Sequence, residues 1–131
     1  MKSNTILSAR EIIEAITDLK TAGVDLPVPS AQAVREETLS FQLPAWVARA
    51  GLLRDRDHFW LYCVPAPAAA AETAGQTLIQ LPPGRYLVDT FLAGTHTCVA
   101  RESAAGNPLV VGLMYAPEPI LLWIHPPSRT S

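Results

Sequence analysis

The sequence predicts a mainly β chain, an antiparallel β-sandwich of seven or eight strands preceded by one N-terminal α-helix. Three observations carry that expectation. Turn signals built on proline, glycine and clustered charge recur about every 8 to 12 residues from residue 39 onward, the rhythm of a sandwich rather than of alternating strand and helix units. The segments between them are short apolar runs or alternate apolar with polar residues, as buried and half-buried strands do. One stretch alone repeats its apolar residues at helical spacing, and it lies at the N-terminus.

The helix comes first. Ser8 followed three residues later by Glu11 forms a capping box, Leu7 and Ile12 are placed as a hydrophobic staple, and Lys20 with Gly23 supplies a terminal charge and a stop. A helix over residues 9–22 follows, with Ile12, Ile13, Ile16 and Leu19 in one apolar stripe that has to be buried against something. Leu26-Pro27-Val28-Pro29-Ser30 reads as an extended linker, because the residue before each proline is pushed out of the helical region. Residues 1–29 are thus the helix and a proline-containing linker, and residues 30–131 the sandwich, in one compact domain. A short second helix is expected over 31–37.

Residues 46–53 and 58–64 flank the charged tetrapeptide Arg54-Asp55-Arg56-Asp57 and read as a hairpin. Within the second of these, Phe59, Leu61 and Cys63 point one way and Trp60, Tyr62 and Val64 the other, so both faces are apolar and each needs a cover. Residues 65–71, alanines with two prolines, read as a spacer. Strands are expected at 77–81, at 85–91 after the turn Pro82-Pro83-Gly84, and at 95–101 after Ala93-Gly94. Those at 109–114 and 120–124, separated by Pro117-Glu118-Pro119 and closed by Pro126-Pro127, complete the set.

Composition narrows the function classes. The chain has 131 residues, 49% of them hydrophobic and 17% charged, which suits a folded domain and not a disordered one. Ten Lys and Arg against twelve Asp and Glu leave a net charge of -2 with no basic cluster, so no nucleic-acid partner is expected. No apolar run reaches the roughly 20 residues of a membrane helix, and the N-terminus lacks the form of a secretion signal. No membrane partner is expected, and the compartment is the cytoplasm unless the sequence is an excerpt.

The usual signatures of catalysis are missing: no G-x-S-x-G elbow, no H-E-x-x-H, no glycine-rich phosphate loop. His96 and Cys98, two apart on one strand, are the single thiol and imidazole near each other in the chain, and they would carry any unrecognised enzyme. His58, His96 and His125 fall on different strands, and their spacing does not imply a metal. Asp55, Asp57, Glu36 and Glu37 read as surface charges. Cys63 and Cys98 are either packed free thiols or one bridge, which would need Cα atoms within about 7 Å. Neither catalytic residues nor a metal or cofactor are expected. Aromatics remain: Trp46, Trp60, Tyr62, Tyr86 and Trp123 serve either as core or as a stacking platform for sugars, and Trp46, Trp60 and Trp123 are the candidate carbohydrate-binding residues.

Leu81-Pro82-Pro83-Gly84-Arg85-Tyr86-Leu87-Val88-Asp89-Thr90-Phe91 resembles a segment of the small all-β domain that follows the barrel in many glycoside hydrolases. The terminal Pro117-Glu118-Pro119 with the apolar run after it is similar to the end of that domain, and the lead-in helix and charged hairpin are in the same order. Leu92-Ala93-Gly94 stands where that family often has an aspartate-proline turn. The resemblance implies a non-catalytic accessory domain with a packing or weak carbohydrate-contact role, since the family's catalytic carboxylates reside in the barrel. Its implied partners are a hydrolase catalytic domain, a second copy of the chain, or carbohydrate. The alternative is a protein-interaction or oligomerisation module using the stripe Ile12, Ile16 and Leu19 and an apolar sheet face.

Overall fold

The computed structural model describes residues 5–30, 33–35, 41–44, 46–66, 74–105 and 108–127. The chain is mainly β, as expected; among the described residues the strands form two sheets beside one helix, and the sheets do not close into a barrel. Strand β1 (Thr5–Ile6) runs parallel to β4 (Val47–Asp55) and leads into helix α1 (Ala9–Thr21). Both halves of the Ser8–Glu11 capping box form: the Glu11 amide donates to the Ser8 hydroxyl at 3.2 Å, and the Ser8 amide donates to the Glu11 carboxylate at 2.9 Å. Gly23, at φ 100, carries the chain out of the helix in a conformation that side chains resist.

Beyond the helix, β2 (Val34–Arg35) pairs antiparallel with β4. That replaces the short second helix where residues are described, while 31–32 and 36–37 lie outside the described residues. The open edge of β4 offers ladder hydrogen bonds that outweigh a weak local preference for helix. Of the spacer expected at 65–71, Pro65 belongs to the strand over 58–65, and residues 67–71 lie outside the described residues. Strands β3 (Phe41–Gln42), β6 (Ala74–Ile79) and β9 (Leu109–Met114) form the smaller sheet in the order β3-β6-β9.

The larger sheet takes β4, β5 (His58–Pro65), β7 (Arg85–Leu92), β8 (Thr97–Ala105) and β10 (Ile120–His125) in the order β1-β4-β5-β10-β7-β8, with β2 also on β4. The β4–β5 hairpin closes at Arg56, whose φ of 62 is left-handed, and the Arg54 guanidinium donates to the Arg56 carbonyl at 3.1 Å. His96 has the same habit, with φ 57. It closes a four-residue turn after β7, so β8 begins at Thr97 and not at residue 95.

Period two then sorts the side chains. Phe59, Leu61 and Cys63 of β5 join Leu52, Val88, Leu122 and Leu113 in a core between the sheets. Trp60 and Leu121 face the other way and bury Ile12, Ile16 and Leu19 of α1, each 0% exposed. The molecule is therefore three layers, helix on large sheet on small sheet, and the two-faced strand predicted at 58–64 is two-faced because both of its sides are covered. Gly51 makes the close approach of α1 feasible: a Cβ there would meet Ile12 Cδ1 at 2.9 Å and the Leu7 carbonyl at 3.0 Å. Among the described residues no helix is long and apolar enough to cross a membrane.

Candidate functional site

Three places on this scaffold combine exposure with chemistry. The first lies on the helix-side face of the large sheet, where the ladder sets Trp123 opposite both Trp60 and Asp89, and Asp89 opposite Arg101. Two residues further along β10, and so on the same face, is His125, and the β4–β5 turn delivers His58 beside it. The rings are near parallel: Trp123 and His125 centroids are 3.7 Å apart, and His58 lies 5.9 Å from each. The Trp123 indole N–H donates to His58 Nδ1 at 3.1 Å, so that nitrogen is unprotonated and His58 carries its proton on Nε2.

Asp89 is the anchor of this cluster. Its side chain is 4% exposed, with Oδ1 accepting from Arg101 Nε at 2.8 Å and Oδ2 facing His125 Nε2 at 3.4 Å. A buried carboxylate needs this pairing, because ionisation without it is costly. The carboxylate raises the Arg101 guanidinium further still. Burial pushes His125 below the ordinary histidine value, against the upward pull of Asp89 and of the Pro126 carbonyl. Both of its ring nitrogens face acceptors, but a neutral ring has one N–H, and the charged Asp89 is the stronger claimant.

The second place is a cleft of about 440 Å³ between the first turns of α1 and the sheet, lined by Glu11 and Glu14 on one side and Arg49, Tyr62 and Val64 on the other. Arg49 donates to Glu11 at 2.7 Å. The Ser8 amide and then Arg49 hold the Glu11 carboxyl below its usual range. The third place is an apolar cleft of about 260 Å³ where the edges of the two sheets meet, lined by Leu92, Val99 and Ala100 on one side and Leu113, Met114 and Tyr115 on the other. Every residue of β8 except Ala104 is exposed, and Val99, Val110 and Met114 are 53%, 40% and 68% exposed. The β8 edge carries Arg101, Glu102 and a register irregularity opposite Thr90 and Phe91, whereas β9 carries no charge at all.

The residues singled out from sequence fare differently. Trp46 is 4% exposed within the inter-sheet core, edge-on to Tyr115, and Trp60 is 2% exposed beneath the helix, so neither presents a face to a sugar. Trp123 is half-buried and one of its faces is taken by His125. Ile12, Ile16 and Leu19 are spent on the sheet and leave no stripe for a partner. His96 and Cys98 do not pair: His96 Nε2 sits 3.2 Å from Asp18, and the Cys98 thiol is directed to the Ala100 carbonyl. Cys63 and Cys98 are free thiols, the first buried and pushed up to about 12, the second exposed on β8. Among the described residues no group of three or more His, Cys, Asp or Glu is placed to hold a metal.

Sequence reading did not find Asp89, Arg101 and His125 as a unit. The signal was a carboxylate inside the apolar run Leu87-Val88-Asp89-Thr90-Phe91, which demands a buried partner, although nothing local names that partner.

Compared with solved structures, the fold is similar to that of a chain described as a glycoside hydrolase, at a TM-score of 0.50 and 11% sequence identity. The match covers 77% of this chain and 22% of that one, so the likeness is one of fold and spans about a fifth of the other protein. No protein-family profile matches the sequence, and no curated protein matches it.

Proposed function

We propose that the chain is a non-catalytic accessory domain of the glycoside-hydrolase kind, working mainly by packing against a partner and secondarily by weak contact with carbohydrate. The observation that carries this reading is the fold likeness to a domain-sized part of a glycoside hydrolase, the class to which the Pro-Pro-Gly-Arg-Tyr segment also points. Packing is favoured over sugar stacking because Trp46 and Trp60 are enclosed while Val99 and Met114 stand exposed at an apolar cleft. The partner on this reading is a hydrolase catalytic domain, or a second copy of the chain when that domain is missing.

Sedimentation velocity over a range of concentrations tests it, together with a screen of chromogenic glycosides and affinity electrophoresis through a panel of polysaccharides. The expected result is self-association weakened by Met114→Glu, no turnover, and slight retardation by at least one polymer. Turnover of a glycoside by the isolated chain would overturn the reading, as would a strict monomer that no polymer retards. A second reading, a protein-interaction module, has the same exposed edge in its favour. In that reading Ile12, Ile16 and Leu19 have no part, since the sheet already occupies them.

A further inference from the structure

The carbohydrate arm of that reading lacks an obvious stacking residue among the tryptophans, and the cleft beneath α1 supplies one. Its residues come from four separate parts of the chain: Glu11 and Glu14 from the helix, Arg49 from β4, Tyr62 and Val64 from β5, and Pro119 from the turn before β10. At about 440 Å³ it falls in the ~300–1,000 Å³ range of small-ligand sites. Tyr62 is half-buried, and its hydroxyl has no hydrogen-bond partner among the described residues. Burial first, and the Asp18 carboxylate after it, hold that phenol above its ordinary value, so it stays a donor across the neutral range.

We infer that this cleft binds one neutral pyranose ring, with Tyr62 and Pro119 against the apolar face of the sugar and Glu11, Glu14 and Arg49 at its hydroxyls; the inference rests on the carbohydrate role proposed above. A sugar hydroxyl both donates and accepts, and the cleft offers both complements side by side, carboxylate acceptors and guanidinium donors. Charge argues for a neutral ligand. Glu11 is already matched by Arg49 at 2.7 Å and Glu14 by Arg10 at 3.4 Å, so an anion or a cation would have to displace a standing partner. Val64, Leu7 and the Tyr62 ring supply the dry surface that a sugar's C–H face seeks and a simple ion does not.

The probes are methyl β-D-glucopyranoside, its galacto, manno and xylo counterparts, D-glucuronate and D-glucosamine, each followed by ligand-observed saturation-transfer NMR with the whole chain. At least one neutral pyranoside is expected to give transfer, weakened several-fold by Tyr62→Phe, which keeps the ring and the fold, and by ten-fold or more in Tyr62→Leu. Melting curves of both variants separate lost binding from lost folding. Transfer to glucuronate or glucosamine alone, transfer unchanged in Tyr62→Leu, or no transfer to any neutral pyranoside overturns the assignment. The polysaccharide gels tell the two failures apart. Retardation that persists in Tyr62→Leu but disappears in Trp123→Ala leaves the carbohydrate role standing and this site refuted, whereas no retardation of the wild-type chain by any polymer removes both.

Discussion

Replacing Ile16 with alanine separates a structural stripe from an interaction surface. Ile16 is 0% exposed and packs between α1 and the large sheet, among Leu53, Trp60 and Leu121. The substitution removes three carbons, roughly 2.4 kcal/mol of transfer free energy at about 0.8 kcal/mol per buried CH₂. The residual cavity raises the cost, since α1 is held at its N-terminus by β1 and the capping box and can follow the missing volume only in part. A loss of about 3–4 kcal/mol is expected, within the ~2–5 kcal/mol range of such truncations. A domain of this length has on the order of 7–20 kcal/mol in total, so the variant stays folded but is visibly weakened. At a urea dependence of ~1–3 kcal/mol/M the midpoint falls by about 1–4 M, read by tryptophan fluorescence because Trp60 lies under the helix. Sedimentation of the folded variant should match that of the wild type. A midpoint within experimental scatter of the wild type, together with a changed oligomeric state, would refute the intramolecular packing and return the stripe to a partner.

Four further outcomes are expected. Gly51→Ala should cost about 1–3 kcal/mol in a thermal melt, because the Leu7 carbonyl at 3.0 Å is backbone and cannot swing aside as the tip of Ile12 can; an unchanged melting temperature counts against the close approach. Ser8→Ala should lose roughly 0.5–2 kcal/mol of stability by chemical denaturation, and full retention would mean that the cap is not formed in solution. A thiol reagent should titrate one cysteine in the native protein, Cys98, and a second, Cys63, only in denaturant; two native thiols would show that β5 is not enclosed. Because burial depresses His125 in the folded state, its contribution to stability is present above the ordinary histidine value near 6.5 and is lost as pH falls through the lower folded value. The melting temperature should therefore drop on acidification from neutral pH, and His125→Gln should flatten that drop; an identical slope in the variant rules the assignment out.

Much of the frame was legible because its signals are local. The capping box marked the start of α1 to the residue, and the alternation in residues 58–64 announced a strand with two covered sides before either cover was known. What was not legible depends on register between distant strands. His58 and His125 are 67 positions apart in sequence and meet because β10 enters between β5 and β7. Asp89 meets Arg101 across the β7–β8 ladder, and neither neighbour could be assigned without knowing which strands pair. The tryptophans misled for a related reason: a large ring suits a sugar and a core equally, and only the layers above and below decide. The strand read from sequence at 95–101 is exposed almost throughout β8, since a seven-stranded sheet overhangs a three-stranded one.

The place of β10 governs how the chain can come to be folded at all. The β4–β5 and β7–β8 hairpins are each local and can form as soon as their residues leave the ribosome, but they do not touch as neighbours in the sheet. The strand that joins them is the last described one, running to His125, and it completes both ladders at once. Until it arrives, Leu61 and Trp60 on one side and Val88 and Phe91 on the other have no common floor, and two sticky edges wait apart. Assembly of the large sheet is thus a zip rather than a gradual accretion. A nascent chain stalled before residue 120 should be held by chaperones or digested, and release of β10 should convert it in a single cooperative step.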